Sequence, residues 1–320
     1  MPGSGLLNQF PLVRYRFHST VERRIDLPEY AGSTLRGAFG HALKRTVCVT
    51  QLADCKLCPL YRRCAYPSIF ETPPPAKARR TYSQIPPPFV VEPPAWGART
   101  LEPADELAFD LVLIGPALRE LPLIAVAWRD ALSRDIGKAH GAARLTRLTT
   151  GDQTILDLPR GNLHEHPQQQ VVPPSPKSLR HINITFTTPL RLQREKLLLR
   201  ADTMTPRDLL MALVRRTASL VELHMQAELP VDYTALNHAA GAITGAGSLQ
   251  WQELSRYSNR QQHAVPLGGL MGRWELHGDL APFWPFLYLG QWLHVGKNCS
   301  FGLGRYELGD EIPPDTVMHS

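Results

Sequence analysis

The 320-residue chain is 43% hydrophobic and 20% charged, a globular composition with mass for one large or two ordinary domains. No unbroken apolar run is long enough to span a bilayer, and the opening MPGSGLLNQFPL lacks the basic region, apolar core and cleavage site of a secretory signal, so a cytoplasmic location is expected. A net charge of +6 and a pI near 9.2 favour an anionic partner without the density of a polybasic protein. Arginine outnumbers lysine and comes in pairs (Arg23/Arg24, Arg62/Arg63, Arg79/Arg80, Arg215/Arg216). That suits phosphate forks, and codon bias in a GC-rich genome would explain it equally well.

In the N-terminal half, residues 10–21 alternate as a strand does, and Ser33 to Val47 carries helical spacing. Residues 106–118 read as an apolar strand, 121–136 as a helix and 143–150 as a further strand. Between the first helix and the apolar strand lies an insertion, about 48–95, that is cysteine-bearing and then proline-rich. Its prolines forbid regular helix and predict an extended arm over the surface. The polar stretch 158–176 is expected to link a first domain, 1–157, to a second, 177–320.

The second half is clearer. Residues 181–194 are a β-branched, alternating strand, and Thr205-Pro206-Arg207-Asp208 is a helix start with a cap, a proline at the first helical position and an acid three residues after the cap. Leucines and valines at helical spacing run on to Val221. Two strands follow at 248–259 and 268–279, then a helix at 283–293 and a short strand at 304–308. This β-α-β-β-α-β order is the ferredoxin-like unit, and the first half repeats it. The expected fold is α+β, two tandem ferredoxin-like domains with the insertion in the first.

Four of five cysteines, Cys48, Cys55, Cys58 and Cys64, share one short window. In a reducing compartment these are four soft ligands rather than disulfides. Tetrahedral zinc is the natural occupant, an iron–sulfur cluster the alternative, and closed four-thiolate coordination would be structural. Four metal-free thiols are the plainer reading. On the first helix, Gly37, Gly40, His41, Lys44, Arg45 and Cys48 oppose the apolar arc. Two glycines inside a helix cost stability; they would admit a ligand to His41 and Lys44, or serve close packing against the other domain. His41 and Lys44 are i,i+3 neighbours within reach of one phosphate. At a phosphate, histidine can serve as acid or base and lysine as the cation for developing charge.

The stretch His294 to Leu308, HVGKNCSFGLGRYEL, places Gly296, Gly302 and Gly304 among Lys297, Asn298, Ser300 and Arg305. Its spacing fits neither the Walker loop nor the dinucleotide fingerprint. Exposed N–H groups beside cations would make a phosphate cradle for a polyanion. This wording resembles the C-terminal signature of the sixth Cas family, the CRISPR precursor-RNA endoribonucleases of the RAMP superfamily. The segment LPEYAGSTLRGAFGHALKR is similar to that family's N-terminal wording, and the cysteine segment followed by IPPPFVVEPP to one of its branches.

The resemblance implies a metal-independent endoribonuclease that cuts CRISPR repeat RNA by attack of the 2′-OH, leaving a 2′,3′-cyclic phosphate. His41 would be the general acid or base, Tyr30 an assistant and Lys44 the cation, with His18 and His294 in reserve. Gly296, Lys297, Gly302, Gly304 and Arg305 would hold RNA, joined by Arg256 and Arg273 on the predicted hairpin. No cofactor would serve catalysis, and subunits of a CRISPR effector complex would be partners, with no direct DNA contact. A non-catalytic crRNA-binding subunit and a zinc-organised protein-interaction module are the rival readings.

Overall fold

The computed structural model describes residues 9–309 with Gly5 and Leu7, apart from 75–84, 135, 138–139, 159–160, 165–169, 172, 175–178 and 259–262. Part of the proline-rich run, with Arg79 and Arg80, therefore lies outside the described residues. Two compact units form, one from Pro11–Gln169 with Leu223–Met225, the other from Met1–Phe10, Gln170–Glu222 and Gln226–Ser320. Among the described residues no helix is long and apolar enough to cross a membrane.

The first unit runs β1 (Phe10–Arg23), β2 (Ile25–Leu27), α1 (Gly32–Val47), α2 (Ala65–Phe70), β3 (Phe89–Glu92), β4 (Arg99–Leu101), β5 (Glu106–Ile114), α3 (Leu121–Leu132), β6 (Ala142–Thr150), β7 (Gln153–Asp157) and β8 (Asn162–Leu163). Its main sheet has the order β3-β5-β1-β6-β7-β8. The first four of these strands, with α1 and α3, are the ferredoxin-like unit, so β3 is its second strand. The expectation of a surface arm is corrected at this point: Phe89, Val90, Val91 and Glu92 are all buried, and they pair with Asp110 to Leu113 of β5. An edge strand tolerates the prolines before it because only one side of the ladder needs its N–H groups. Glu92 enters the interior paired to Arg14, with Nε to Oε2 at 2.7 Å.

The core of this unit is aromatic. Trp128 of α3 stacks on Phe39 of α1, with ring centroids 5.0 Å apart, and lies 4.4 Å from Phe109 of β5. The two helices are also tied at the surface, where Arg45 donates to Asp130 through Nη2 at 2.6 Å.

The second unit runs β9 (Gln170–Val171), β10 (His181–Leu190), β11 (Gln193–Arg194), β12 (Leu197–Leu198), α4 (Pro206–His224), α5 (Tyr233–Gly241), β13 (Thr244–Gln252), β14 (Ser255–Ser258), β15 (His263–Pro266), β16 (Gly269–His277), α6 (Trp284–Leu293) and β17 (Tyr306–Leu308). Its sheet order, β13-β16-β10-β17, is the ferredoxin-like one. Helix α4 begins as its sequence dictates: Thr205 N donates to Asp208 Oδ2 at 2.9 Å, and Asp208 N donates back to Thr205 Oγ1 at 3.4 Å, a reciprocal cap. The predicted hairpin is real, β13 against β16. A second hairpin, β14 against β15, is inserted at its tip.

Candidate functional site

Helix α1 buries Leu35, Phe39, Ala42 and Leu43 and leaves His41 exposed. The two glycines part company. A Cβ on Gly40 would overlap the Phe70 ring, and Arg36 covers the same ring, its Cζ 4.1 Å from the centroid. Gly40 is therefore the socket for α2, in its own unit. Gly37, one turn before His41, has open space where a Cβ would go. Replacing Gly37 by alanine is expected to raise stability by about 0.5–1 kcal/mol while slowing RNA cleavage; melting and single-turnover cutting on the same preparation read both.

The three residues proposed for catalysis are not gathered. Tyr30 is buried and packs on Trp96, with ring centroids 5.4 Å apart. It precedes α1, and ten residues of helical rise, roughly 15 Å, separate that end from His41. Lys44 turns towards the cysteine segment, donating to the Ala53 carbonyl at 3.2 Å with its ammonium 5.8 Å from the Tyr66 ring centroid. Of the three, His41 alone is exposed. The reserve His18 is mostly buried and clamps three strands, through Nδ1 with Glu106 Oε1 at 2.7 Å and Nε2 with Thr149 Oγ1 at 3.3 Å. That hydrogen bond is the chief reason the Glu106 carboxyl lies below its ordinary range.

Cys48 caps α1, Cys64 caps α2, and Cys55 opens a short turn capped by Asp54. All four cysteines line one cavity of about 30 Å³ with Lys44, Val47, Leu60 and Pro67. Burial pushes the Cys55 thiol up, and the Lys44 ammonium pulls it the other way. Donor type, enclosure and a neighbouring cation suit a closed thiolate centre. The spacing is wider than a metal would impose: among the described residues, the three-donor group with all ligand atoms within 4.8 Å of one another is elsewhere, at His181, Glu275 and His277.

Several N–H groups of the glycine stretch are used within the fold: Lys297 N donates to Arg191 O at 2.9 Å, Gly302 N to Cys299 O at 2.7 Å and Gly304 N to Pro189 O at 3.0 Å, while Arg305 N donates to Thr188 Oγ1 at 2.8 Å. All three glycines hold positive φ, +94° at Gly296, +88° at Gly302 and +71° at Gly304, and Gly296 and Gly304 bring the backbone close to the carbonyls of Arg191 and Val295. His294 is fully buried with Nδ1 against Leu303 O, so it is structural. Cys299 is a packed residue whose thiol donates to Gly296 O at 3.1 Å.

What the loop offers a polyanion is side chains. Lys297 is exposed and Arg305 half-buried. Arg256 lies over the Phe301 ring, Cζ to centroid 5.1 Å, and Arg191 donates to the Gly268 carbonyl. Arg191 Nε, Arg256 Nε and Trp251 Nε1 are buried donors with no acceptor among the described residues, and such groups cost about 1–3 kcal/mol until a partner arrives. Arg273 is apart from them, exposed on the outward sheet face between Thr185 and Ser248. Sequence reasoning missed Arg191 and Arg200, the latter stacked on Trp251 at 3.4 Å. It also missed a surface cavity of about 390 Å³ between α1 and α3, lined by Arg45, Arg129, Asp130 and Arg134. Arg191 just after β10 and Arg200 in the turn before α4 are single arginines in irregular segments and form no motif, so no local signal marked them.

Residues 10–171 match the family model AF_1859_N, described as an N-terminal domain, and residues 184–306 match CRISPR-associated endoribonuclease Cas6. No curated protein matches the chain. Among solved structures, a partial Cas6-RT-Cas1–Cas2 complex is similar at TM-score 0.57 and 14% identity, over 98% of this chain and 49% of that one, so the chain spans about half of that relative's length. A Cas6 product complex is similar at TM-score 0.56 and 16% identity, over 93% of this chain and 98% of that one. Thermus thermophilus Cas6 follows at 0.52 and 16%, with the same coverage. These likenesses are of fold. The two family models succeed one another along the two ferredoxin-like units: the first unit belongs to the AF_1859_N family, the second carries a Cas6 domain over residues 184–306, and the chain has the fold of the Cas6 structures.

Proposed function

We propose that this protein matures CRISPR RNA by cutting the repeat of its precursor without a catalytic metal. The 2′-OH beside the scissile phosphate attacks in line, giving a 2′,3′-cyclic phosphate and a 5′-OH. His41 exchanges the proton as general acid or base. The observation that carries the RNA assignment is the group of cationic side chains around the glycine loop: exposed Lys297, half-buried Arg305, and Arg256 over the Phe301 ring. Phosphate oxygens and base edges are the acceptors that such donors meet. Other subunits of a CRISPR complex are proposed partners, by analogy with the similar Cas6-RT-Cas1–Cas2 complex.

The test is cleavage of the cognate repeat RNA in EDTA, beside the same RNA with a single 2′-deoxy at the cut site. Cutting of the normal strand alone supports 2′-OH attack; cutting of both sinks it. A specific observation favours a second reading, a crRNA-binding subunit without activity: Tyr30 is buried and Lys44 engaged elsewhere. Tight binding with neither RNA cut would establish it.

The cysteine cavity is proposed to hold a structural zinc that fastens the insertion to the end of α1. Prolonged treatment with a strong chelator is then expected to lower the melting temperature while brief EDTA leaves the cleavage rate unchanged, with metal content by mass spectrometry as the control. For RNA affinity, Arg256→Ala is expected to reduce the slope of log K against log salt by about one phosphate contact, roughly 0.7 for a single strand. Filter binding across a salt series reads it.

A further inference from the structure

We propose that His181, Glu275 and His277 form a two-histidine, one-carboxylate site for a first-row divalent transition metal ion, of which Zn²⁺ is the working case. The site is separate from the RNA-binding loop and does not depend on the cleavage assignment. It follows from the register of the two inner strands of the second sheet. His181 of β10 is the direct cross-strand partner of His277 on β16, and Glu275 is two residues before His277. All three occupy the sheet face opposite Ile182, Ile184, Trp274 and Leu276, which are buried. Directly opposed Cβ atoms on paired strands are about 5 Å apart, so a rigid frame presents three donors to one point.

The atoms converge as ligands do. His181 Nε2 lies 3.8 Å from Glu275 Oε2, and His277 Nε2 lies 3.6 Å from the same oxygen. Both distances are too long for hydrogen bonds, which end near 3.2 Å. Donors around one zinc, each about 2.1 Å from it, stand about 3.4 Å apart when tetrahedral. The imidazoles are stacked, with centroids 4.5 Å apart and planes 24° from parallel. A turn of the rings about their side-chain torsions would aim both Nε2 lone pairs, with the carboxylate, at one ion. All ligand atoms lie within 4.8 Å of one another.

The surroundings leave room for further ligands. On β13, Thr244 is opposite His277 and Ala246 opposite Glu275, and these short side chains do not fill the space in front of the donors. Side-chain exposure of 29% at His181, 51% at Glu275 and 48% at His277 gives an ion direct access. Three ligands with positions open suit zinc, cobalt, nickel or copper, and imidazole donors disfavour magnesium and calcium. The glycine loop meets β10 at its other end, where Gly296 bridges Arg191, so about 30 Å of strand separates the two sites.

The test is titration of Zn²⁺ alone into the full chain, followed by calorimetry, for the wild type, His277→Ala, Glu275→Gln and the pair Cys55→Ser/Cys58→Ser. Co²⁺ spectra separate the centres, since thiolate complexes show strong near-ultraviolet charge-transfer absorption that imidazole and carboxylate complexes lack. We expect a zinc equivalent that survives the cysteine substitutions, weakens at least about tenfold in His277→Ala and Glu275→Gln, and is not displaced by Mg²⁺. Both altered side chains face solvent, and unchanged far-ultraviolet dichroism with an unchanged cysteine-type cobalt spectrum confirms the fold of each variant. Equal zinc affinity and stoichiometry in the wild type and both sheet variants would overturn the site, as would disappearance of all bound zinc with the cysteine pair.

Discussion

Replacing His41 by alanine is expected to lower the single-turnover rate of repeat cleavage by about 10²- to 10⁴-fold, the range for loss of a general acid or base, and to leave RNA affinity unchanged. The reasoning is geometric. Of the residues drawn into the sequence-based active site, His41 alone is an exposed titratable group on the open face of α1. The backbone one turn before it, at Gly37, has nothing over it, so a ribose-phosphate can approach the imidazole from that side. Tyr30 and Lys44 make the contrast: Tyr30→Phe and Lys44→Ala should act mainly through packing on Trp96 and through the cysteine segment, with much smaller rate losses at equal folding. Added imidazole should restore part of the rate to His41→Ala, because an emptied, open face admits it, and rescue by a small base separates proton transfer from a structural role. Full activity in His41→Ala would remove the proposed chemistry from α1.

Much of this architecture was legible because ferredoxin-like units write themselves in strong local patterns. The cap Thr205–Asp208, the alternation from His181 and the periodicity of α1 each state their element without tertiary help. Strand β3 was not legible, because Phe89 to Glu92 follows a run of prolines and is too short to show alternation; its pairing with β5 decides it. Helix α5 was hidden for a similar reason, its nine residues being defined largely by the Asp232 cap, which accepts from Thr234 N and Ala235 N. The sites fared differently from the fold. Spacing identified the four cysteines that share a cavity, since chain proximity alone brings them together. It could not show that Lys44 would point away from His41, because i,i+3 neighbours share a helix side while a long flexible side chain chooses its partner in space. Nor could it show His181, Glu275 and His277 as a group: residues 94 or more apart in sequence meet only through register.

Gly304→Ala is expected to destabilise the protein by about 3 kcal/mol or more and to weaken RNA binding with it, whereas Lys297→Ala should weaken RNA binding and leave stability alone. At Gly304 the backbone holds φ +71°, and a Cβ there would run into the Val295 carbonyl oxygen. That oxygen belongs to a segment that cannot retreat. Val295 N donates to Gly304 O at 3.1 Å, and Gly304 N donates to Pro189 O at 3.0 Å, so the same residue fastens the loop to the end of β10 from both sides. A methyl group there must break one of those bonds or displace buried Leu303 and Val295. For a unit of this size the cost corresponds to roughly 6–12 °C in melting temperature. The loop's cations depend on that frame: the Arg305 N–H is held by Thr188, and the Lys297 N–H by Arg191. Loss of affinity in Gly304→Ala therefore follows from misplacing side chains, while in Lys297→Ala it follows from removing one charge and shows as a shallower salt dependence at an unchanged melting temperature. A Gly304→Ala protein that melts with the wild type yet binds RNA poorly would instead make the glycine backbone itself the contact.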